Sequence, residues 1–205
     1  MTDTGPDCLV VHAHPDPASY SAALRDRAVA ALERNGHTVA VIDLYHPGYR
    51  PAMSADEHEH YYSIGLDHPD AATAEHIRLL RSARTIVFVY PTWWSGLPAV
   101  MKGWLDRTLL PEVAFKLSPG AGGKDVVRPG LDHVTRLVGI TTYGSARNEV
   151  RLLGDAGRRT ITRTVRLVCA RRCRTTWLGL HRLDTSTPAE RSRFLEEVDA
   201  TLGRL

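Results

Sequence analysis

The feature that most constrains the fold is an uninterrupted run of β-branched and aromatic side chains at residues 85–90, Thr-Ile-Val-Phe-Val-Tyr. A strand without a polar face has to be covered on both sides, as at the centre of a parallel sheet that carries helices on both faces. Pro91 ends the run, and Pro98 suits the first turn of a helix. Apolar residues then recur at helical spacing, at Val100, Met101, Trp104, Leu105 and Leu109. The sequence therefore predicts a buried central strand, a loop with two adjacent tryptophans, and a helix.

Predicted strands and helices alternate along the rest of the chain. We expect further strands at residues 8–13, 38–43, 134–141 and 175–180, and helices at residues 20–35, 71–82, 158–170 and 188–202. This alternation predicts an α/β sandwich of three layers around a five-stranded parallel sheet, with right-handed crossovers. Ser19 is a suitable N-cap for the first helix, and Thr187 with Glu190 has capping-box spacing for the last one.

Two long segments between these elements need a separate interpretation. Residues 44–70 are rich in tyrosine and histidine and are too long for a simple connection. We expect them either to cover a site or to pack on a partner subunit. Residues 110–133 are rich in glycine and proline, so we expect little more than loop there.

The composition is that of an ordinary globular protein, with 205 residues, 43% of them hydrophobic and 24% charged. We expect one domain over residues 1–205, with a flexible tail at residues 1–7. No apolar run approaches the ~20 residues of a membrane span, and the amino terminus lacks a secretory pattern, so we expect a cytoplasmic protein without membrane insertion. A formal charge of +3 is too small to indicate nucleic acid. Cys8, Cys169 and Cys173 are expected to be structural thiols.

Three loops are expected to follow the first, third and fourth strands, at residues 14–21, 91–96 and 141–145. In a sheet of order 2-1-3-4-5 they converge on one crevice, at the topological switch point between strands one and three. The first loop ends in a helix start with hydroxyls and backbone N–H groups, which favours a phosphate. Trp93 and Trp94 in the second loop offer a flat apolar wall. The threonines and amides of the third loop would stabilise negative charge. A site for a phosphate, a site for a flat ring and a site for negative charge on that ring together indicate that the ligand is a flavin.

Each of these features also has a plainer interpretation. Trp93 and Trp94 would equally fill a core or a subunit interface. Ser19 alone would be a helix cap, and Thr141 with Thr142 would be the frayed end of a strand. The joint placement of three such loops at one sheet edge favours the ligand site. The first strand is not followed by G-x-G-x-x-G, which argues against a dinucleotide-binding Rossmann domain, and the chain has no P-loop motif.

A zinc site is a further alternative, because His12, His14 and Asp16 lie close together in sequence. This stretch partly resembles the A-H-P-D-D motif of zinc-dependent N-deacetylases. Pro17 stands where that family has its second Asp, Ala18 where it commonly has Glu, and no H-x-x-H follows. We therefore expect no metal site.

Three stretches together resemble the NAD(P)H:quinone oxidoreductase family, the flavodoxin-like group that includes DT-diaphorase. They are H-P-x-x-x-S-Y-S at residues 14–21, Y-P-T-W-W-S-G-L-P-A-V-M-K-G-W at residues 90–104 and T-T-Y-G at residues 141–144. The resemblance implies a flavodoxin-like sheet, tightly bound FAD or FMN, and a homodimer with the active site at the subunit boundary. It also implies hydride transfer from NAD(P)H to a quinone or similar small aromatic acceptor. The choices between FAD and FMN and between NADH and NADPH stay open.

The resemblance also assigns site residues. The family's phosphate-binding loop corresponds to His14, Ser19, Tyr20 and Ser21, its isoalloxazine loop to Pro91, Thr92, Trp93, Trp94 and Ser95, and its ring-edge loop to Thr141, Thr142, Tyr143 and Gly144. Tyr143 replaces a usual glycine, and residues 146–157 lack the Tyr and His that follow this loop in well-known members. We therefore predict Tyr143 and Arg147 as catalytic residues, the arginine neutralising the reduced flavin.

The carboxyl-terminal third is the other departure from the family. Between Arg151 and Arg182 nine arginines accompany one acid, Asp155. This region is expected to attract anions such as the 2′-phosphate of NADPH or an acidic acceptor, or else to form a solvated helix face. A regulatory or ancillary flavin-binding subunit is the alternative to an enzyme.

Overall fold

The fold is built on one parallel sheet that is covered by helices on both faces. The computed structural model describes residues 5–63, 68–119 and 125–205. The parallel strands are β1 Cys8–His12, β2 Val39–Asp43, β3 Thr85–Pro91, β6 Arg136–Thr142 and β7 Arg174–Leu180. Their spatial order is β2-β1-β3-β6-β7, which is the predicted order 2-1-3-4-5 when only the parallel strands are counted. The predicted flavodoxin-like α/β sandwich is confirmed.

The centre of the sheet is β3, which contains the run at residues 85–90 that was predicted to be a buried central strand. Every residue of β3 is buried, and Val87 lies in register with Val10 of β1 and Val138 of β6. Helices α1 Tyr20–Arg34 and α7 Pro188–Leu202 contribute Leu24 and Phe194 to the core on one face. On the other face α3 Ala71–Ser82 and α4 Ala99–Thr108 contribute side chains such as Ile77 and Trp104. Apolar burial on both faces explains why β3 has no exposed position.

The predicted helix starts are confirmed where side-chain chemistry defines them. Ser19 caps α1 by accepting a hydrogen bond from the amide of Ala22. Thr187 and Glu190 form the predicted capping box at the start of α7. Pro98 is the N-cap of α4 rather than a residue of its first turn.

The prediction that residues 110–133 are only loop is wrong. Strands β4 Phe115–Pro119 and β5 Asp125–Pro129 pair in an antiparallel hairpin, and residues 120–124 between them lie outside the described residues. These strands were not predicted from the sequence because each is short and ends in proline. Pairing rather than burial stabilises β5, since every one of its residues is exposed, whereas Phe115 of β4 packs against the core.

Short helical elements were also missed. The structure adds α2 Ala55–Glu59, α5 Arg147–Leu153 and α6 Ala156–Arg159, and α6 continues directly into a π-helix at Thr160–Val165. The predicted helix at residues 158–170 therefore starts earlier, changes its hydrogen-bonding period and leaves Cys169 and Cys173 outside it. All three cysteines are buried and unpaired.

In the described part of the segment 44–70, residues 44–63 and 68–70, a buried ion pair connects α2 to α4. Arg107 of α4 binds Glu57 of α2 with both Nε and Nη2, and only 3% of Arg107 and 6% of Glu57 are exposed. Nε2 of His68 lies 3.0 Å from the same carboxylate. The Arg107 guanidinium also lies 5.8 Å from the ring centroid of Tyr49. The described part of this segment is therefore held to its own chain, and both expectations for it, covering a site or packing on a partner subunit, stay predictions.

The predicted flexible tail at residues 1–7 does not extend to Asp7, which is hydrogen-bonded to the folded chain. The carboxylate of Asp7 accepts hydrogen bonds from the amide and the hydroxyl of Thr38, at 2.7 and 2.6 Å. Its carbonyl accepts from the amides of Arg84 and Thr85. Residues 1–4 lie outside the described residues. Within the described part of the chain, no helix combines the length and the apolar character that a bilayer crossing requires.

Candidate functional site

The three predicted loops lie together at the carboxyl edge of the sheet. The backbone of β1 joins β3 there, because the amide of Ala13 donates to the carbonyl of Val89. Beyond the strands, the rings of His14 and Trp93 have centroids 6.2 Å apart. The amide of Thr92 donates to the carbonyl of Thr142 at 2.8 Å. The predicted convergence of the three loops is therefore observed.

The tryptophan loop is a tight turn whose backbone is held in an unusual conformation. The amide of Trp93 donates to the carbonyl of Gly96, and the amide of Gly96 donates to the carbonyl of Trp93. The two residues between them, Trp94 and Ser95, have φ of 48° and 58°. Positive φ at both central positions is the signature of a type I′ turn, which favours Asn and Gly. Non-glycine residues held in this region of φ are typical of functional sites.

Trp94 is fully exposed and Trp93 is 41% exposed. Among the interpretations left open by the sequence, burial of these rings in the core of this chain is therefore wrong. An exposed pair of indoles on a turn fixed by two hydrogen bonds is available to a ligand or to a second protein surface.

At the start of α1 the hydroxyls are already used within the protein. Ser19 Oγ caps the helix, Tyr20 Oη donates to the carbonyl of Arg191 at 2.7 Å, and buried Ser21 Oγ lies 3.4 Å from Nε2 of His12. Ser19 Oγ accepts a hydrogen bond from the helix and keeps its own O–H as a donor, so the assignment of Ser19, Tyr20 and Ser21 to a phosphate-binding loop stays a prediction. The backbone also favours an anion here, since a helix leaves its first N–H groups unpaired and carries positive charge at this end.

The predicted ring-edge loop begins inside the sheet. Thr141 and Thr142 are buried strand residues, and Thr141 Oγ1 lies 2.9 Å from Thr92 Oγ1. The interpretation of both as a frayed end is therefore wrong. The amide of Tyr143 donates to the carbonyl of Leu180, so it is not a free donor. The amide of exposed Gly144 has no partner within residues 5–63, 68–119 and 125–205 and is the donor that this loop offers.

Tyr143 is the centre of a polar cluster that the sequence did not predict. Its hydroxyl donates to Oδ2 of Asp155 at 2.7 Å and accepts a hydrogen bond from Nε1 of Trp177 at 3.0 Å. The imidazole of His181 stacks on the ring with a centroid distance of 4.5 Å. Burial, reinforced by the Asp155 carboxylate, raises the pKa of Tyr143. The phenol is thus neutral and holds neighbouring elements together, and its assignment as a catalytic residue stays a prediction.

Two cavities open beside this cluster. The smaller one, of about 290 Å³, is lined by Thr92, Trp94, Ser95, Tyr143, Gly144, Ser145, Val150, Leu153 and Asp155. It therefore joins the tryptophan turn to the ring-edge loop. The larger one, of about 1270 Å³, lies along α5, α6 and the π-helix, and Arg147 is one of its lining residues. Arg147 is exposed at the first position of α5 and does not line the smaller cavity.

The zinc alternative finds no support in the side chains. His12 is buried against Ser21, and burial, with Arg25 as the next cause, lowers its pKa to about 4. Nδ1 of His14 contacts the backbone of Asp16 instead of joining His12. Within the described residues, a group of potential ligand atoms within 4.8 Å of one another is formed by Asp7, Cys8 and His37, near the opposite end of β1.

Several residues of the site were not predicted from the sequence, and they differ in how far the sequence pointed to them. Asp155 was visible as the one acid among nine arginines, but its pairing with Tyr143 depends on the fold. The positions of Trp177 and His181 depend on the neighbouring strand β7. The positive φ at Trp94 had no sequence signal, because neither central residue of that turn is Asn or Gly.

The fold and the site define a doubly wound α/β protein with a ligand crevice at its topological switch point. Residues 7–204 match the family described as flavodoxin-like fold, and the chain belongs to this family.

The individual relatives carry related names. The chain is 30% identical over 156 residues to the ribosyldihydronicotinamide dehydrogenase (quinone) of Mus musculus, which covers 69% of this chain and 65% of that protein. It is 30% identical over 123 residues to NAD(P)H dehydrogenase (quinone) 1 of Rattus norvegicus, covering 52% of this chain and 44% of that protein. The predicted resemblance to the quinone oxidoreductase family is confirmed. The aligned part of the chain spans less than two thirds of these relatives.

A solved structure agrees on the fold. Smu.1420 from Streptococcus mutans UA159 superposes with a TM-score of 0.82 at 22% identity, covering 97% of this chain and 99% of that chain. Nearly the whole chain therefore follows one known arrangement of strands and helices.

Proposed function

We propose that this protein is a flavin-dependent oxidoreductase that takes hydride from NAD(P)H and passes two electrons to a quinone or similar small aromatic acceptor. The observation that carries the proposal is the fully exposed Trp94, held at positive φ, which lines a cavity together with Tyr143 and Gly144 of the ring-edge loop. A flat aromatic group fits between an indole and a polar strand end. The names of the two mammalian relatives support the same class of reaction.

The residues present fit a flavin through atoms that the sequence predicted, with the backbone N–H groups among them. Trp94, which lines the cavity, would supply the apolar wall together with exposed Trp93 beside it, and the exposed Gly144 backbone would supply a donor at the ring edge. The amino end of α1 would hold the phosphate through its backbone N–H groups. Through the contacts that Ser19, Tyr20 and Ser21 already make, their hydroxyls would also position the helix.

When bound, a flavin supplies the capacity to accept and donate hydride, and the protein positions and tunes it. Tyr143 and Asp155 fix the wall on which the ring edge would rest, since their hydrogen bond joins β6 to the start of α6. Arg147, one helix position beyond buried Ala146, adds positive charge near this wall. A guanidinium there would favour an anionic state of a bound ring.

We extend the proposal to a homodimer in the cytoplasm. Trp94 and Leu153 line the smaller cavity, and both remain exposed in a single chain, as does Leu152 beside them. Such apolar side chains around a cavity favour a second copy that completes the site. The mass of the purified protein in solution, measured by light scattering, tests the dimer.

The function is tested by identifying the cofactor and then measuring turnover. Heat release from the purified protein, followed by mass spectrometry, is expected to give FMN or FAD. Oxidation of NADH and of NADPH is then followed with and without 2-methyl-1,4-naphthoquinone. The proposal requires flavin and quinone-dependent oxidation. Bound flavin without turnover would instead support an ancillary subunit, and failure to bind either flavin after reconstitution would contradict both functions.

A further inference from the structure

The larger cavity has an unusual concentration of one charge. Its lining includes six arginines and a single carboxylate, and it encloses about 1270 Å³. The arginines are Arg147, Arg151, Arg158, Arg159, Arg163 and Arg182, and the carboxylate is Asp155. They come from α5, from α6 with its π-helix continuation, and from the turn after β7. The fold thus brings together arginines that are dispersed in the sequence.

These arginines lack an ion-pair partner among the residues that the structure describes. Across the described ranges 5–63, 68–119 and 125–205, none of the six guanidinium groups forms an ion pair or donates a side-chain hydrogen bond. Asp155 can offset only one of these six charges, and its Oδ2 and Oδ1 accept hydrogen bonds from Tyr143 and from the amide of Arg158. Arg147 and Arg151 are four residues apart on α5, a spacing at which like charges destabilise a helix. An anion in the cavity would remove this repulsion.

The cavity also has an aromatic wall. The guanidinium of Arg158 lies 5.9 Å from the ring centroid of Trp177, and His181 stacks on Tyr143. Guanidinium groups beside aromatic rings suit a flat ligand that carries phosphate, sulfonate or carboxylate groups.

The two cavities share a wall. Tyr143, Val150 and Asp155 line both of them. A molecule whose reactive ring occupies the smaller cavity could therefore place an acidic substituent among the arginines. The π-helix in the wall of the larger cavity is a form that occurs frequently at functional sites.

We propose that the arginine-lined cavity binds an anionic group of a substrate, so that the enzyme prefers substrates carrying phosphate, sulfonate or carboxylate. This inference rests on the proposed function and narrows its substrate class. The anionic group has two possible sources, the 2′-phosphate of NADPH and an acidic substituent of the electron acceptor. Both have the same chemistry, and separate measurements distinguish them.

The test compares Arg151→Gln/Arg163→Gln with the control Arg81→Gln/Arg84→Gln. Arg151 and Arg163 are exposed cavity residues, whereas Arg81 and Arg84 are exposed at the end of α3 and the amino end of β3. Both double variants lose the same formal charge. Binding of anthraquinone-2,6-disulfonate, NADP⁺ and NAD⁺ to the purified protein is measured by calorimetry at low and high salt. The KM values for the disulfonate and for neutral 2-methyl-1,4-naphthoquinone are measured in parallel.

The cavity variant is expected to weaken binding of at least one anionic probe by about tenfold, with a smaller salt dependence, and to leave NAD⁺ and the neutral quinone unchanged. Weaker disulfonate binding identifies the acceptor as the source, and weaker NADP⁺ binding identifies the 2′-phosphate. Equal effects in the cavity and control variants, or none in either, overturn the proposal. Calorimetry measures binding independently of turnover. If the protein does not reduce quinones but the cavity variant still loses anion binding, the proposed function is refuted and the anion site is supported.

Discussion

The hydroxyl of Tyr143 donates a 2.7 Å hydrogen bond to Oδ2 of Asp155 across 12 positions of sequence. Asp155 has φ of 40° and caps α6, so this bond fixes the end of β6 to an irregular helix start. Trp177 of β7 donates to the same hydroxyl. Tyr143 and Asp155, which line both cavities, therefore meet Trp177 of the larger cavity at one phenol oxygen.

Replacing Tyr143 by Phe removes this oxygen and keeps the ring. Asp155 and Trp177 would both lose a partner, so we expect the free energy of unfolding to fall by about 1–3 kcal/mol. Urea denaturation of the variant, followed by circular dichroism, measures this change. The control is Tyr62→Phe, because Tyr62 is 74% exposed and its change should stay within about 0.5 kcal/mol. Equal stability of Tyr143→Phe and the wild type would contradict the positioning role of the hydroxyl.

Much of the fold could be predicted because it depends on local patterns. The continuous apolar run of β3 requires cover on both faces, and the Thr187–Glu190 spacing defines a helix start whatever surrounds it. The exposed hairpin β4–β5 had no such signal, since β5 buries none of its residues. Pairing between strands is a property of two segments, and neither segment shows it alone.

The location of the candidate site in the fold could be predicted from the sequence, but the hydrogen-bond partners of its polar atoms could be predicted less well. Strand order fixes where the three loops meet, so their convergence followed from the alternation of elements. The use of each polar group depends on packing, which is why the Tyr20 hydroxyl binds Arg191 and the Tyr143 amide binds Leu180. The family resemblance located the residues and could not assign these partners.

The tryptophan turn offers a prediction about stored backbone strain. Ser95 has φ of 58°, at a turn position where glycine has no steric penalty. We expect Ser95→Gly to raise the free energy of unfolding by about 1 kcal/mol, because relief of strain outweighs the added freedom of the unfolded chain. Thermal denaturation measures the gain. Ser63→Gly, at a described turn without positive φ, is the control and should not be stabilised. A destabilised Ser95→Gly variant would show that the turn stores no such strain.

The buried ion pair between Arg107 and Glu57 should contribute strongly to the free energy of unfolding, because it connects α2 to α4. Glu57→Gln leaves the guanidinium, of which 3% is exposed, without its main carboxylate partner. The expected loss is about 3–5 kcal/mol, since breaking one partner of a buried pair leaves an uncompensated charge. Guanidinium chloride denaturation checks it. Glu75→Gln disrupts an exposed pair with Arg78 and should cost less than about 1 kcal/mol. Similar losses in both variants would contradict the special role of burial.

His12 gives the protein a defined acid sensitivity. Burial, followed by the nearby Arg25, lowers its pKa from 6.5 to about 4. Because the folded state disfavours the charged form, the contribution of His12 to stability is complete above pH 6.5 and is lost as the pH falls from 6.5 towards 4. The loss from this residue should reach roughly 3 kcal/mol.

Denaturation curves of the wild type and His12→Gln across this pH range test the assignment. The variant should be less stable near neutrality and should lose less stability on acidification. His58→Gln, at an exposed position of α2, serves as the control and should keep the wild-type slope. Parallel curves for the wild type and His12→Gln would show that another group causes the acid sensitivity.

The central claim is that Trp93 and Trp94 form the wall of a flavin site. Its most direct test is a titration of the apoprotein with FMN and with FAD, followed by flavin fluorescence, in the wild type and in Trp93→Ala/Trp94→Ala. Tyr62→Ala, which removes an exposed ring elsewhere, is the control. We predict saturable binding of one flavin by the wild type and the control, and binding at least about tenfold weaker in the tryptophan variant with an unchanged far-ultraviolet circular dichroism spectrum. Equal flavin affinity in all three folded proteins would contradict the claim.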